Sequence, residues 1–427
     1  MSVRKRQWIT RRGEPKEAWV VNYTDSVGIR RLKTFLRKKE ADGFAATASV
    51  QVREGMHVAD AASITVSKAG AFWIAGAEAA GLERATIEQY RQHLRLHIEP
   101  FLGRMLLSRL SAPGARAYEE ELRAKGRSPA MVKRALASLA ALLADAQERG
   151  LVARNVVRDL RGRRRRGKER QAERRHKAKL VVGIDIPTPS EIRAIIEAAR
   201  RRWRPLFITA VFTGLRASEL RGLPWTDVDL EGHAIHVRQR ADRFNSIGPP
   251  KSSAGRRTIP LPRIVVNTLR EWKRACPKGD LDLVFPNGEG NVESHSNILS
   301  RGLFPTLVAA GVSAPVLGED GKPVPDEQGA PAVGAKYTGM HALRHFYASW
   351  LINRQADGGL GLPPKLVQER LGHSSITMTY DTYGHLFPRG DDAAELDAAE
   401  LALLGVNDEG ASAADATQTR HTAKLVS

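Results

Sequence analysis

Four short segments in the second half of the chain combine side chains that hold anions with side chains that move protons. The first, T-G-L-R-A-S-E-L, contains Gly214 just before a predicted helix start. Free backbone N–H groups and the positive end of a helix dipole suit an anion at such a point, beside Arg216. Glu219, three residues further on, lies on the same helical face and can orient the guanidinium. Taken alone, a surface ion pair explains these two residues more simply.

The second segment, H-A-L-R-H, places His341 and Arg344 three residues apart on one helical face. The first is a proton-transfer group and the second can bind phosphate through two hydrogen bonds. His341 and His345 also have the four-residue spacing of a zinc-binding pair. No Glu stands between them at the metalloprotease position and the chain has a single cysteine, so we expect no metal site and no cofactor.

The other two segments contribute an imidazole and a phenol. In L-G-H-S-S a helix end and a glycine are predicted to expose His373, and Y-D-T-Y-G-H follows with Tyr380 and Tyr383. A single His or Tyr is more often a packed core residue, so neither is informative by itself. Together, the four segments supply a nucleophile and a cationic environment suited to attack on a phosphodiester.

Composition limits the class of protein that could carry this chemistry. The 427 residues suffice for two to four domains, and the formal net charge of +20 indicates a polyanionic partner, most commonly nucleic acid. Cys276 cannot form an internal disulfide, and no apolar run approaches the roughly 20 residues of a membrane span. These features exclude a secreted disulfide scaffold and a membrane protein. They predict a soluble cytoplasmic protein that binds nucleic acid.

The elements that must position these residues change in type along the chain. The N-terminal stretch predicts strands at 19–23 and 30–35 and a helix from 38 to 52. Helical periodicity follows from Thr65, with one helix predicted to be capped by Thr86 and ended by Pro100 and Gly103, and another predicted to start at the Ser128 cap.

The last region mixes helices with strands. Thr188 or Ser190 is predicted to cap one helix, and the next runs from 203 to 213. Two strands at 234–237 and 257–261 are joined by a polar loop that holds Lys251. Residues 314–335 are rich in Pro, Gly and acidic residues and are expected to form an exposed loop.

We therefore expect a multidomain, mainly α-helical protein with small β-sheets (α+β). The predicted divisions are a sheet-and-helix module at 1–62, a helical domain at 63–160, a basic linker at 161–179, a mixed domain at 180–405 and a flexible tail at 406–427.

Nearly half of the positive surplus lies in the linker, which holds eleven basic and two acidic residues. Four of them are consecutive: Arg163, Arg164, Arg165 and Arg166. Like charges at this density repel and predict an extended segment. We interpret the linker as one that also binds DNA phosphates, and a simple solvated linker is the alternative.

In order and spacing, the four segments resemble the tyrosine recombinases, and more closely the bacteriophage-type integrases. The resemblance covers about 170 residues. It implies a mixed tyrosine-recombinase catalytic domain at 180–405, a SAM-like helical core-binding domain before it, and an arm-type DNA-binding module at 1–62.

The resemblance also implies a catalytic set. The matching positions are Arg216 and Arg344 as phosphate ligands, His341 and His373 as hydrogen-bonding or proton-transfer groups, Lys251 as general acid, Tyr383 as nucleophile and Glu219 in a supporting role. Tyr380 is a competing nucleophile three residues away, but the Y-G-H-L context favours Tyr383.

The implied activity is site-specific integration, and possibly excision, of a phage or other mobile element through a 3′-phosphotyrosine. The implied partners are double-stranded DNA attachment sites, three further copies of the chain on paired sites, and accessory DNA-bending proteins. The implied location is the nucleoid of a bacterial host cell. Two other classes remain as alternatives: a DNA-binding regulator without catalysis, which has no need of a nucleophile, and a type IB topoisomerase.

Overall fold

The computed structural model describes residues 1–10, 13–25, 28–53, 63–164, 179–318, 321–388 and 393–404. They fall into two units, Met1–Lys177 and Ala178–Ser427. The elements of the first unit are β1 (Ser2–Ile9), β2 (Pro15–Thr24), β3 (Arg30–Phe35), α1 (Lys38–Arg53), α2 (Val66–Ala79), α3 (Arg84–His93), α4 (Glu99–Leu102), α5 (Ala112–Ala124), α6 (Pro129–Glu148) and α7 (Val156–Arg164).

The N-terminal module is an antiparallel sheet in the order β1-β2-β3 with α1 on one face. Val21 and Tyr23 on β2 pack against Ala41 of α1 and form its small core. The two predicted strands and the predicted helix are confirmed. Strand β1 was missed because its sequence, S-V-R-K-R-Q-W-I, carries three cations and little of the apolar alternation that marks a strand.

The helical domain is built from α2 to α7 around one apolar core. Ser128 caps α6 as predicted, since its hydroxyl accepts from the backbone N–H of Met131. Helix α3 starts at Arg84 rather than Thr86, and it continues through a π-helical turn at Leu94–Ile98 into α4. Pro100 does not end the helix there, because proline is tolerated in a first turn.

Helix α7 carries the start of the predicted linker. Val156 and Val157 at its N-terminal end pack into the core of the helical domain, and the helix continues to Arg164. The backbone of Arg163 and Arg164 is therefore helical rather than extended as predicted. Arg165, Arg166 and most of the remaining linker lie outside the described residues, as does the predicted tail at 406–427.

The elements of the second unit are α8 (Pro189–Ala198), α9 (Trp203–Thr213), α10 (Ala217–Arg221), β4 (Val228–Asp229), β5 (Ala234–Val237), β6 (Arg240–Ala241), β7 (Ile247–Gly248), β8 (Arg257–Pro260), α11 (Arg263–Ala275), α12 (His295–Asn297), α13 (Phe304–Ala309), β9 (Ser313–Pro315), β10 (Val333–Ala335), α14 (His341–Ile352), α15 (Pro364–Leu371), α16 (Ile376–Tyr383) and α17 (Ala393–Leu404).

Helix α9 lies at the centre of this unit and its bounds are those predicted. It is buried along most of its length because its sequence is apolar on every side, and it contacts α11 and α14. Thr188 caps α8 in a capping box with Glu191, which decides between the two predicted caps. Helix α9 ends at Thr213 and is capped by Gly214, two residues before Arg216.

The two predicted strands pair as β5 and β8 in a three-stranded antiparallel sheet with β4. The connection between them also contains a short β6–β7 ladder before the loop with Lys251. The prediction of a loop at 314–335 is wrong at the two ends of this segment, where β9 and β10 form an antiparallel pair. Backbone hydrogen bonds such as Val316 N–H to Ala332 O satisfy groups that a plain loop would leave to water.

The C-terminal helix α17 starts at Ala393. The sequence predicts a helix from 391 to 404, of which residues 391 and 392 lie outside the described residues. Within the described ranges, every helix is too short or too polar to span a bilayer.

Gly214 offers a test of how α9 must end. Its φ is +59°, and a Cβ there would lie 2.3 Å from Cδ1 of Tyr347. Gly311 has a similar φ of +67° with open space around it. We expect Gly311→Ala to lower the free energy of unfolding by about 1–2 kcal/mol, from backbone strain alone. Gly214→Ala should cost more and also reduce activity; equal losses in urea denaturation would show that the Tyr347 contact carries no constraint.

Candidate active site

Arg216 precedes the first turn of α10 and is fixed there by Glu219. The Glu219 carboxylate accepts from the Arg216 backbone N–H at 2.9 Å and from its guanidinium at 2.8 Å. The predicted contact is therefore present, but Glu219 is only 3% exposed, so this is no surface ion pair. A second guanidinium nitrogen donates to the carbonyl of Gly372 at 3.0 Å, which ties the first predicted segment to the third.

Arg344 lies on α14 with its side chain buried. Its guanidinium donates to the carbonyl of Gly214 at 2.6 Å and to the carbonyl of Leu371 at 2.6 Å. Both carbonyls are at helix C-termini, where carbonyl groups lack partners within the helix and attract cations. Arg344 therefore joins the ends of α9 and α15, and the two predicted arginines belong to one cluster.

A third arginine, Arg257 at the start of β8, was missed from the sequence. It makes two hydrogen bonds to the Glu219 carboxylate, at 3.1 and 2.8 Å, and another to the carbonyl of Arg370. Because 38 residues separate Arg257 from Glu219, only the fold brings them together. A basic residue at the first position of a predicted strand gave no signal for this role.

The cluster holds more positive than negative charge. Arg216 and Arg257 both pair with the carboxylate of Glu219, which also attracts Arg344 electrostatically. Although burial opposes its ionisation, the two hydrogen-bonded guanidiniums lower the pKa of Glu219 to about 2. Burial and the nearby Arg216 lower the pKa of Arg344 to about 9, so this guanidinium is still cationic at neutral pH. An anion would offset this excess, and a phosphate has the charge and the acceptor geometry to do so.

The predicted histidines lie beside these cations. His373 is buried, and its Nδ1 is 3.0 Å from the Thr379 hydroxyl. Burial, followed by Arg344 and Arg216, lowers the pKa of His373 to about 4. Desolvation and Arg344 also lower the pKa of His341, although part of its ring is exposed. Both lowered pKa values favour neutral imidazoles at pH 7, able to donate or accept a hydrogen bond.

Tyr383 ends helix α16 inside this cluster. It is 2% exposed, and its ring lies parallel to that of His373 with 6.2 Å between ring centroids. Burial raises the pKa of Tyr383 to about 12, against the opposing effect of Arg344 and Arg216. Tyr380, by contrast, is 52% exposed and packs on Phe387. The geometry places Tyr383 rather than Tyr380 against the cationic cluster.

Lys251 lies exposed on the loop between β7 and β8. The far end of that loop is anchored at the site, since a Cβ on Gly372 would lie 2.9 Å from the Ala254 carbonyl oxygen. Gly372 itself has a φ of +63° and its carbonyl binds Arg216. The loop therefore ends at the cluster and can bring an ammonium group to it.

Two groups of residues complete the comparison with the sequence. The arginines predicted to bind DNA, Arg163 to Arg166, have no described side chains, so their contacts stay a prediction.

His345 was considered only as a metal ligand, yet its Nδ1 is 2.8 Å from the Tyr383 hydroxyl. Among the described residues, no group of three or more His, Cys, Asp or Glu side chains is placed to hold a metal ion.

The fold and site match known proteins. Residues 187–389 match the phage integrase family. The chain is 27% identical over 367 residues to a tyrosine recombinase XerC-like protein of Caldanaerobacter subterraneus, covering 82% of this chain and 87% of that protein. It is also 27% identical over 197 residues to the prophage integrase IntR of Escherichia coli K12, covering 46% of each.

Solved structures show the same fold. The Tn1549 transposon integrase in complex with a circular intermediate DNA has a TM-score of 0.58 at 20% identity, covering 79% of this chain and 100% of that one. A lambda integrase tetramer bound to a Holliday junction has a TM-score of 0.50 at 18% identity, covering 87% and 96%. Residues 187–389 thus carry a phage integrase family domain, and the chain as a whole is similar to tyrosine recombinases. The mixed, mainly helical fold predicted from the sequence is confirmed.

The buried carboxylate can be tested directly. Glu219→Gln keeps the shape but leaves Arg257 and Arg216 without their anion, so we expect a loss of about 3–5 kcal/mol in the free energy of unfolding. Glu231→Gln is the control, because Glu231 is 89% exposed where it pairs with Arg270; its loss should be about 0–1 kcal/mol.

The pH dependence follows from the lowered pKa of Glu219. A depressed carboxyl pKa stabilises the fold above the unfolded value near 4.5 and loses that contribution as the pH falls toward 2. The difference between wild type and Glu219→Gln should therefore shrink over this range. A difference that is small at pH 7, or that does not change with acidification, would contradict the role given to this carboxylate.

Proposed function

We propose that the protein is a site-specific DNA recombinase that integrates a phage or other mobile element by cutting and rejoining DNA strands. The observation that carries the proposal is the placement of the buried Tyr383 against a cluster of three arginines, two of which pair with the Glu219 carboxylate. A phosphodiester bound there would meet a phenol on one side and hydrogen-bond donors around its oxygens. The wider match to recombinases and integrases agrees with this activity.

The proposed reaction is a transesterification, in which one phosphate ester bond forms as another breaks. The Tyr383 oxygen bonds to phosphorus and passes its proton to a neutral imidazole of the site, while the bond from phosphorus to the 5′-oxygen breaks. Arg216 and Arg344 stabilise the negative charge of the five-coordinate transition state, with His341 and His373 as hydrogen-bonding or proton-transfer groups. Lys251 donates a proton to the departing 5′-oxygen. The 3′-phosphotyrosine keeps the bond energy, so rejoining by a 5′-hydroxyl needs no ATP.

The N-terminal sheet supports a second DNA contact. Alternate residues on its strands point away from α1, and on that face lie the exposed side chains of Arg4, Arg6, Lys16 and Arg30. No acidic residue occupies the same face of β1, β2 or β3. We assign this surface to arm-type DNA, with the linker arginines Arg163 to Arg166 contributing phosphate contacts.

Strand exchange between two duplexes requires four active sites, so we propose a homotetramer on paired sites. The lambda integrase structure is that of a tetramer bound to a Holliday junction, which agrees with this assembly. Helix α17 offers Leu396 and Leu403, which are 63% and 84% exposed, as a surface to dock on a neighbouring copy. Accessory DNA-bending proteins remain part of the proposal because integration sites are commonly bent to bring them together.

The alternatives explain less. A regulator that only binds DNA would account for the net charge of +20, but not for a buried tyrosine held beside three arginines. A type IB topoisomerase would use the same chemistry, but it has no use for a second DNA-binding module that reads arm sites.

The nucleophile is tested with a nicked duplex spanning the junction between the element and its host chromosome. Cleavage near the nick releases a short 5′-fragment that diffuses away, so the covalent adduct accumulates. Wild type and Tyr380→Phe should form a 3′-linked adduct. Tyr383→Phe should fold and bind the same duplex with unchanged affinity but form none, because only the attacking oxygen is missing.

Two results would overturn this assignment. An adduct formed by Tyr383→Phe would place the nucleophile elsewhere. Retarded DNA without any adduct, for wild type as for the variants, would favour the regulator over the recombinase.

A further inference from the structure

The residue after the second predicted arginine lies against the nucleophile. His345 follows Arg344 on α14, and its Nδ1 is 2.8 Å from the Tyr383 hydroxyl oxygen. The two rings meet edge to face, with centroids 5.7 Å apart at 63°. Tyr383 is thus held between His345, on one helix, and the parallel ring of His373.

The surroundings of His345 favour a neutral imidazole. His341 lies one helical turn away with its ring 5.1 Å from that of His345, and Arg344 is adjacent. Burial, then His341 and Arg344, lower the pKa of His345 to about 4, while Asp185, ahead of α8, acts in the opposite direction. A neutral ring with its proton on Nε2 presents a lone pair at Nδ1, which is the atom that faces the phenol.

We propose that His345 is a positioning residue for the nucleophile. Its Nδ1 accepts the hydrogen bond of the Tyr383 hydroxyl, which fixes the direction of the O–H bond and leaves an oxygen lone pair for the phosphate beside Arg216 and Arg344. The contact also ties the end of α16 to α14, which carries Arg344. The proposal rests on the proposed function, since it gives His345 a part in the same reaction.

The physical reason for such a residue is the buried phenol itself. Tyr383 makes its attack from the last residue of a helix, where a small rotation of the side chain moves the oxygen away from phosphorus. A misplacement of about 1 Å in a reacting group can cost about 100-fold in rate. A hydrogen bond from a neighbouring helix removes that freedom without placing another charge in the site.

Two substitutions of His345, which place an amide at different distances from the backbone, distinguish this role from simple packing. In His345→Asn the amide is carried on Cγ, so one of its heavy atoms takes the place of Nδ1 and can accept from the phenol. In His345→Gln the same amide is one carbon further out, near the place of Nε2. We expect Asn to keep most of the wild-type rate of adduct formation on the nicked junction duplex, and Gln to be about 10- to 100-fold slower. Affinity for the duplex should be the same for both.

A spectroscopic measurement examines the hydrogen bond without DNA. With tyrosine labelled by 13C at Cζ, the chain gives seven tyrosine signals, and Tyr383→Phe identifies the one that belongs to Tyr383. That signal should shift in His345→Gln and stay near its wild-type position in His345→Asn. Equal signals in the two variants would show that Nδ1 is not the acceptor.

The outcomes distinguish failure of the proposed function from failure of the role given to His345. Wild type that forms no adduct overturns the proposed function, whatever the variants do. Wild type that forms the adduct, with Asn and Gln equally fast, equally slow or in the reverse order, overturns the role of His345 alone. A slow Gln variant beside a nearly normal Asn variant supports it.

Discussion

The arrangement of the site depends on how three arginines are kept together in a partly buried space. Glu219 binds Arg216 and Arg257, and the C-terminal carbonyls of two helices bind Arg344 and Arg216. Cations this close would otherwise repel strongly, because charges interact more strongly away from water. One carboxylate and five backbone carbonyl oxygens fix the arginines in position but leave an excess of positive charge. A phosphate bound there would balance this charge.

The same burial and positive charge set the protonation states of the other groups in the site. Burial and the arginines lower the pKa of His373 and His345 to about 4, so these rings do not add further positive charge near pH 7. Burial keeps the phenol of Tyr383 protonated at rest, since its pKa is raised to about 12. In the proposed reaction Tyr383 would therefore stay protonated until a phosphate binds between it and the arginines, where loss of its proton would be coupled to bond formation.

Local signals were sufficient for much of the fold. The cap at Thr188, the cap at Ser128 and the apolar run of α9 each follow from side chains within a few residues, and each was predicted correctly. The contact between Arg216 and Glu219 was also predictable, because three residues on a helix place them side by side.

The rest depends on contacts that no local pattern encodes. Arg257 reaches Glu219 only when β8 pairs with β5 and is brought beside α10. His345 was considered only as half of a metal pair that was then rejected, because its contact with Tyr383 spans 38 residues and two helices. Strand β1 and the β9–β10 pair were missed or misread because their stability comes from partners elsewhere in the chain.

The central claim is that the arginines stabilise charge at phosphorus while Lys251 serves the leaving group. The most direct measurement is single-turnover cleavage of a nicked junction duplex in which sulfur replaces the bridging 5′-oxygen. A thiolate leaves without a proton, so Lys251→Ala should be slow on ordinary DNA and recover on this substrate. Arg216→Ala should be slow on both substrates, because sulfur at the leaving position does not stabilise the negative charge on the phosphoryl oxygens. Recovery of both variants, or of neither, would contradict this division of roles.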